Sequence, residues 1–179
     1  MSIAENLTSV RSSLAAACSA AGRNADSVRL VAVSKIQPLS AIDEALDAGQ
    51  LDFGENYAQE LRDKAAATTR PIRWHFIGSL QRNKVKYVVG KASLVHDVDN
   101  LALAEEIGKR SGSSPTGILL GVNIGEEPQK SGILPKDALE LAREMTRIPG
   151  ITLRGLMCIP PAAEDPEATE PWFAAMADL

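Results

Sequence analysis

Apolar residues along this chain alternate between two periods. Ile3, Leu7, Val10, Leu14 and Ala17 recur at spacings of three and four, which predicts an amphipathic helix that Gly22 stops. Arg29-Leu30-Val31-Ala32-Val33-Ser34-Lys35 follows, an apolar, β-branched run that predicts a strand. Pro38 to Asp43 opens a second helix, with Ser40 and Asp43 at capping-box spacing and Gly49 as the stop. A short strand over 51–54 leads into a helix over 57–67, and a strand over 72–77 into a helix over 83–89. The run 93–97 predicts a fourth strand, with Asp99 placed to cap the helix after it. A fifth strand covers 117–123, and Pro135 and Pro149 bracket the next helix. The sixth strand is 152–157, and a last helix begins over 165–179 with Pro171 near its first turn.

A leading helix and about six strand-helix units argue for a parallel sheet with right-handed crossovers. Two architectures satisfy that pattern. One is an open doubly wound sheet; the other is a TIM-type barrel, which takes eight units and typically about 250 residues. With 179 residues, 45% hydrophobic and 23% charged, the chain suits one globular core. A single domain over 1–179 is the expectation. Six units would leave a barrel unclosed with two exposed strand edges, and the helical pattern over 173–179 runs to the last residue. The expectation is therefore a barrel cut short at its C-terminal end.

The net charge of −4 argues against a generic binder of phosphate backbones, while leaving a local basic patch open. Cys18 and Cys158 form no CxxC or Cys/His cluster, which speaks against a metal site or disulfide framework and fits a reducing compartment. Residues 1–6 lack the basic start and apolar run of a signal peptide, and no apolar run is long enough to span a bilayer. The default location is the cytoplasm.

Functional residues of parallel α/β folds lie at the C-terminal ends of strands. Those positions hold Lys35, then Gly54-Glu55-Asn56-Tyr57, His75 to Ser79, Asp97, Asn123, and Met157 to Pro160. Strand alternation puts Val31, Val33 and Lys35 on one face. If those valines are buried, desolvation disfavours the Lys35 ammonium and exposes a nucleophilic amine to a carbonyl group. Taken alone, the segment favours the blander alternative of a solvated strand-end lysine. Asn56 can donate and accept at once, or simply cap a helix. His75, between Trp74 and Phe76, suits a satisfied core histidine better than an acid-base group, and His96 has weaker support still. Gly78 to Lys84 and Lys130-Ser131-Gly132 are weak anion-binding candidates individually.

Together these segments are more specific. Val31-Ala32-Val33-Ser34-Lys35, Phe53-Gly54-Glu55-Asn56-Tyr57, Trp74-His75-Phe76-Ile77-Gly78, Gln81-Arg82-Asn83-Lys84, Lys130-Ser131-Gly132 and Leu153-Arg154-Gly155-Leu156-Met157 occur in order. The set resembles the pyridoxal phosphate homeostasis protein family, over about 28–160. That family is similar to the N-terminal barrel domain of fold-type III enzymes such as alanine racemase. The resemblance implies a TIM-type barrel in which Lys35 forms a Schiff base with pyridoxal 5′-phosphate. It implies that Asn56, His75 and Met157 line the cofactor pocket, with Lys84 and Lys130 near its mouth. It also implies a role in intracellular vitamin B6 and amino-acid homeostasis without established catalytic turnover, with pyridoxal-phosphate-dependent apoenzymes as partners and no role for nucleic acid or membrane. The alternative is a fold-type III amino-acid racemase; racemisation needs acid-base groups on both faces of the cofactor, and racemases take one from a second domain. The sequence departs from the family in one respect: nothing in it matches the last two strand-helix units, whose strand ends cradle the cofactor phosphate. Weak or absent cofactor retention is the corresponding expectation.

Overall fold

A computed structural model describes residues 2–179. The first helix, α1 (Ile3–Ala20), is started by Ser2, whose side chain accepts from the Glu5 backbone while Glu5 reaches back to the Ser2 N–H. The remaining elements alternate: β1 (Ala32–Val33), α2 (Leu39–Asp47), β2 (Asp52–Glu55), α3 (Ala58–Ala67), β3 (Arg73–Phe76), α4 (Val85–Val88), β4 (Ala92–Val98), α5 (Leu101–Arg110), β5 (Thr116–Gly121), α6 (Pro135–Met145), β6 (Ile151–Met157) and α7 (Glu170–Asp178).

The six strands form one parallel sheet in the order β1-β2-β3-β4-β5-β6. Each strand pairs with its successor in sequence, without the reversal of order that defines a doubly wound sheet. The progression is that of a TIM-type barrel, and the sheet does not close: β1 and β6 are each paired on one side.

The core lies between the sheet and its helices. Phe53, Trp74, Phe76, Val95, Ile118 and Leu120 project from the strands onto Ile42, Leu61, Val85, Val88, Ile107 and Met145. The opposite, inner face is more open, and Val33 on β1 is 53% exposed. This corrects the expectation of two buried valines beside Lys35. In an unclosed barrel the inner face of an edge strand has no far wall to pack against.

Other local expectations also change. Only Ala32 and Val33 of the predicted first strand join the ladder. Pro38, not a side chain, starts α2, and Asp43 turns instead to Arg70, whose guanidinium donates to its carboxylate at 3.3 Å. Asn100 caps α5 by accepting from the Leu103 N–H, while Asp99 accepts from the Gly132 N–H. The helix expected over 83–89 is a 3-10 turn over Arg82–Lys84 followed by the single turn of α4. In β6 an extra residue is inserted opposite Ile118 to Leu120, and Gly155, at φ +147°, absorbs it. The bulge sets Met157 opposite Gly121.

Candidate functional site

Lys35 lies two residues beyond β1, at the C-terminal edge of the sheet, and is exposed. The desolvation expected from sequence is therefore absent, because its flanking inner face is open. What surrounds Lys35 on the helix side is unexpectedly polar. Ser34, Glu55 and Lys64 are all buried there. Lys64, on α3, donates from Nζ to the Ser34 carbonyl at 2.7 Å, to Glu55 Oε1 at 2.8 Å and to Glu60 Oε1 at 2.7 Å. Ser34 Oγ donates to Glu55 Oε1 at 2.6 Å, and the Ile36 N–H donates to Glu60 Oε1 at 2.7 Å. An ammonium has three protons to give, and Lys64 places each on an oxygen of this cluster.

Asn56 lies one residue beyond β2, and the β1–β2 register, continued past Val33 and Gly54, sets it in line with Lys35. It is not the cap of α3; that position is Tyr57, which makes no side-chain cap. Gly78 fixes Asn56 by close approach, since a Cβ at Gly78 would fall on the Asn56 carbonyl oxygen and crowd its side chain. Asn56 and Lys84 line the same cavity, of about 310 Å³, with Ser79 and Gln81. Met157 and Lys130 share a second cavity, of about 120 Å³, with Asp97, Asn123 and Ser131. There Lys130 Nζ donates to the Ile159 and Pro160 carbonyls at 3.3 and 3.0 Å and pairs with Glu127. Ser131 donates to Asp97 at 3.1 Å, and burial pushes the Asp97 carboxyl above the usual carboxylate range. Lys35 lines neither cavity.

His75 sits one residue before the end of β3 and borders a third, larger space, about 920 Å³, along the inner face. Both its ring nitrogens are engaged: Nε2 with Asp52 Oδ1 at 3.0 Å and Nδ1 with His96 Nε2 at 2.8 Å. Asp52 also accepts from Arg73 at 2.9 and 2.6 Å. The Arg73 guanidinium holds the Asp52 carboxyl down at about 2, with His75 adding to the effect. An ionised Asp52 can only accept, so His75 Nε2 carries a proton, and His75 Nδ1 and His96 Nε2 share one hydrogen bond between the two rings. Burial, then the proximity of His75, lowers His96 to about 4. The structure thus divides the expected site residues: Asn56 with Lys84, Met157 with Lys130, His75 with His96, and Lys35 at the exposed strand end.

Sequence reasoning missed Asp52, Glu60 and Lys64 and gave Glu55 no role. One signal was available. Glu55 falls on the helix-facing side of a strand, where a carboxylate demands a cation, and Glu60 and Lys64 stand at i, i+4 spacing on the next helix.

Comparison with known proteins places this arrangement. The chain matches the family described as alanine racemase, N-terminal domain, over residues 6–179. Alanine racemase from Clostridium difficile shares the fold alone, with a TM-score of 0.70 at 13% identity over 84% of this chain and 44% of that one. A narrower group agrees more closely. The chain is 40% identical to the pyridoxal phosphate homeostasis protein of Pseudomonas aeruginosa, over 99% of this chain and 78% of that protein. It is 42% identical to the protein of that name from Escherichia coli, over 88% of this chain and 70% of that protein. Among solved structures, PipY of Synechococcus elongatus with PLP bound gives a TM-score of 0.82 at 33% identity, covering 98% of this chain and 79% of that one. This chain belongs to the pyridoxal phosphate homeostasis protein family. Among the described residues no helix is long and apolar enough to cross a membrane.

Proposed function

We propose that this chain binds pyridoxal 5′-phosphate through the amine of Lys35 and serves vitamin B6 and amino-acid homeostasis in the cytoplasm as a carrier, without turnover of its own. The observation that carries the reading is the placement of Lys35: an exposed amine at a strand end, on a backbone tied on both sides to a buried charge cluster. Pyridoxal phosphate supplies an aldehyde for a primary amine and a phosphate dianion for N–H and cationic partners. The residues present suit the aldehyde end, since the Lys35 amine is open to solvent and its main chain is held. Asn56 and Lys84 on one side, and Met157 with Lys130 on the other, are the side chains we assign to the surrounding pocket, each lining a cavity at the same end of the sheet. His75 we assign to support from below, because both its nitrogens are committed to Asp52 and His96.

The carrier reading is preferred to a racemase. The close relatives carry the homeostasis name, and the likeness to alanine racemase is one of fold. The first test is titration with pyridoxal phosphate, followed by the visible spectrum and, after borohydride reduction, by peptide mass. Wild type is expected to gain a weak visible band at high cofactor concentration, with a cofactor mass trapped on Lys35, and Lys35→Ala to lose both. A band and a trapped mass that persist unchanged in Lys35→Ala would sink the assignment. Chiral analysis after incubation with L-alanine and cofactor decides between carrier and racemase; steady formation of the D-isomer favours the racemase.

A further inference from the structure

Ile36, immediately after Lys35, has φ +63°. That left-handed conformation is a genuine outlier for a β-branched residue. Burial does not compensate, because Ile36 is 77% exposed. Such strain persists only where the surroundings over-determine it. Here they do. The Ile36 N–H is held by Glu60 Oε1, and the same oxygen receives Lys64 Nζ. On the other side of Lys35, Ser34 is held twice, its carbonyl by Lys64 and its hydroxyl by Glu55. The residues before and after Lys35 are thus tied to one ion cluster, and Lys35 between them is left exposed.

We infer that Glu60, backed by Lys64 and Glu55, is a positioning residue for Lys35: it holds Ile36 in the left-handed conformation and so fixes the direction in which the Lys35 amine leaves the sheet. The inference rests on the reading that Lys35 takes the cofactor. Glu60 does not touch the amine; it acts through the backbone. Ile36 is also the third residue of a turn that the Gln37 N–H closes on the Ser34 carbonyl at 3.0 Å; without the Glu60 anchor that turn alone would hold it, and an ordinary φ, with Lys35 turned accordingly, would become partly populated.

Glu60 is the member to alter, since Lys64 keeps Glu55 as a partner when Glu60 is removed. The experiment compares wild type, Glu60→Ala, Glu60→Gln and Lys35→Ala as full chains. Hydrogen exchange of the Ile36 amide is read in cofactor-free protein, pyridoxal phosphate affinity by spectral titration, and folding by thermal melting. Glu60→Ala is expected to speed exchange at Ile36 at least tenfold and to weaken affinity about tenfold, the scale of one hydrogen bond to a charged group. Glu60→Gln keeps an acceptor for the Ile36 N–H and is expected to recover most of both. If Lys35→Ala loses the cofactor while Glu60→Ala binds like wild type, the positioning role is overturned and the Lys35 reading stands. Loss in Glu60→Ala that tracks only a lower melting temperature, with no recovery in Glu60→Gln, also overturns it. Undiminished binding by Lys35→Ala overturns the underlying reading instead.

Discussion

Strand β2 roots two buried charge clusters that differ in almost every respect. Asp52 and Glu55 are three residues apart, so they project from opposite faces of the sheet. Asp52, on the inner face, gathers Arg73, Arg29 and His75, and its arginines are about half exposed or more. Its counter-charges keep their own contact with water. Glu55, on the helix side, is fully buried and answered by a single cation, Lys64, itself only 10% exposed. Among the described residues its Oε2 has no hydrogen-bond partner. The inner cluster is an ordinary lock between neighbouring strands, insulated by solvent. The outer cluster is a low-dielectric arrangement in which removing Lys64 leaves the Glu55 charge uncompensated. It is also the one attached to the strained backbone beside Lys35.

The sharpest way to break this comparison is Lys64→Met. It strands the Glu55 carboxylate without a counter-ion, and a loss of about 3–5 kcal/mol is expected in urea unfolding. Adding Glu55→Gln to Lys64→Met is expected to return a large part of that loss, because the cost lies in the unpaired charge and not in the missing attraction. Equal destabilisation by the single and double variants would mean that packing of the lysine stem, not charge, dominates there.

Asp52→Asn is expected to cost less, about 1–3 kcal/mol, since the arginines it releases can turn to solvent. Its pH signature sharpens the contrast. The folded Asp52 carboxyl is depressed from 3.8 to about 2. The stability it confers is therefore fully present above the unfolded value and is lost as pH falls from about 4 toward 2. Melting temperatures across that window should fall less steeply in Asp52→Asn than in wild type. An identical acid limb in the two proteins would remove Asp52 from the account.

How far these features could be read from sequence follows from how local they are. The stops at Gly22 and Gly49, both at positive φ, are set by neighbouring residues and were legible. Caps were legible in kind but not in position, because Asn100 competes with Asp99, and Arg70, 27 residues from Asp43, removes it from the helix start. Lys35 was singled out by its strand-end position, yet its exposure depends on whether a sheet closes, which no local pattern states. The Lys64 cluster joins segments near 34, 55 and 64, so its members look like a strand serine, a turn glutamate and a surface lysine until the fold assembles them. Asp52 and His75 are a similar case: one reads as a strand start, the other as a core histidine, and only the register of β2 with β3 makes them a pair.

The smallest effect belongs to His96, and it tests the proton arrangement of the inner cluster. His96 is lowered from 6.5 to about 4, first by burial and then by His75. Between those values the unfolded chain binds a proton that the folded one refuses, so stability rises with pH through this window and levels off above 6.5. Seen from the other side, acidification from 6.5 to 4 progressively favours unfolding, before the Asp52 window is reached. His96→Gln has no proton to take up, so its stability should be flatter between pH 6.5 and 4, with a difference on the order of 1 kcal/mol once partial exposure of His96 is allowed for. Its amide keeps both a donor and an acceptor within reach of His75 Nδ1. His96→Leu removes the hydrogen-bonding group as well, and is expected to show the same flattening with a lower plateau. If His96→Gln retained the full wild-type slope over that range, a neutral, buried His96 would not be the source of that slope.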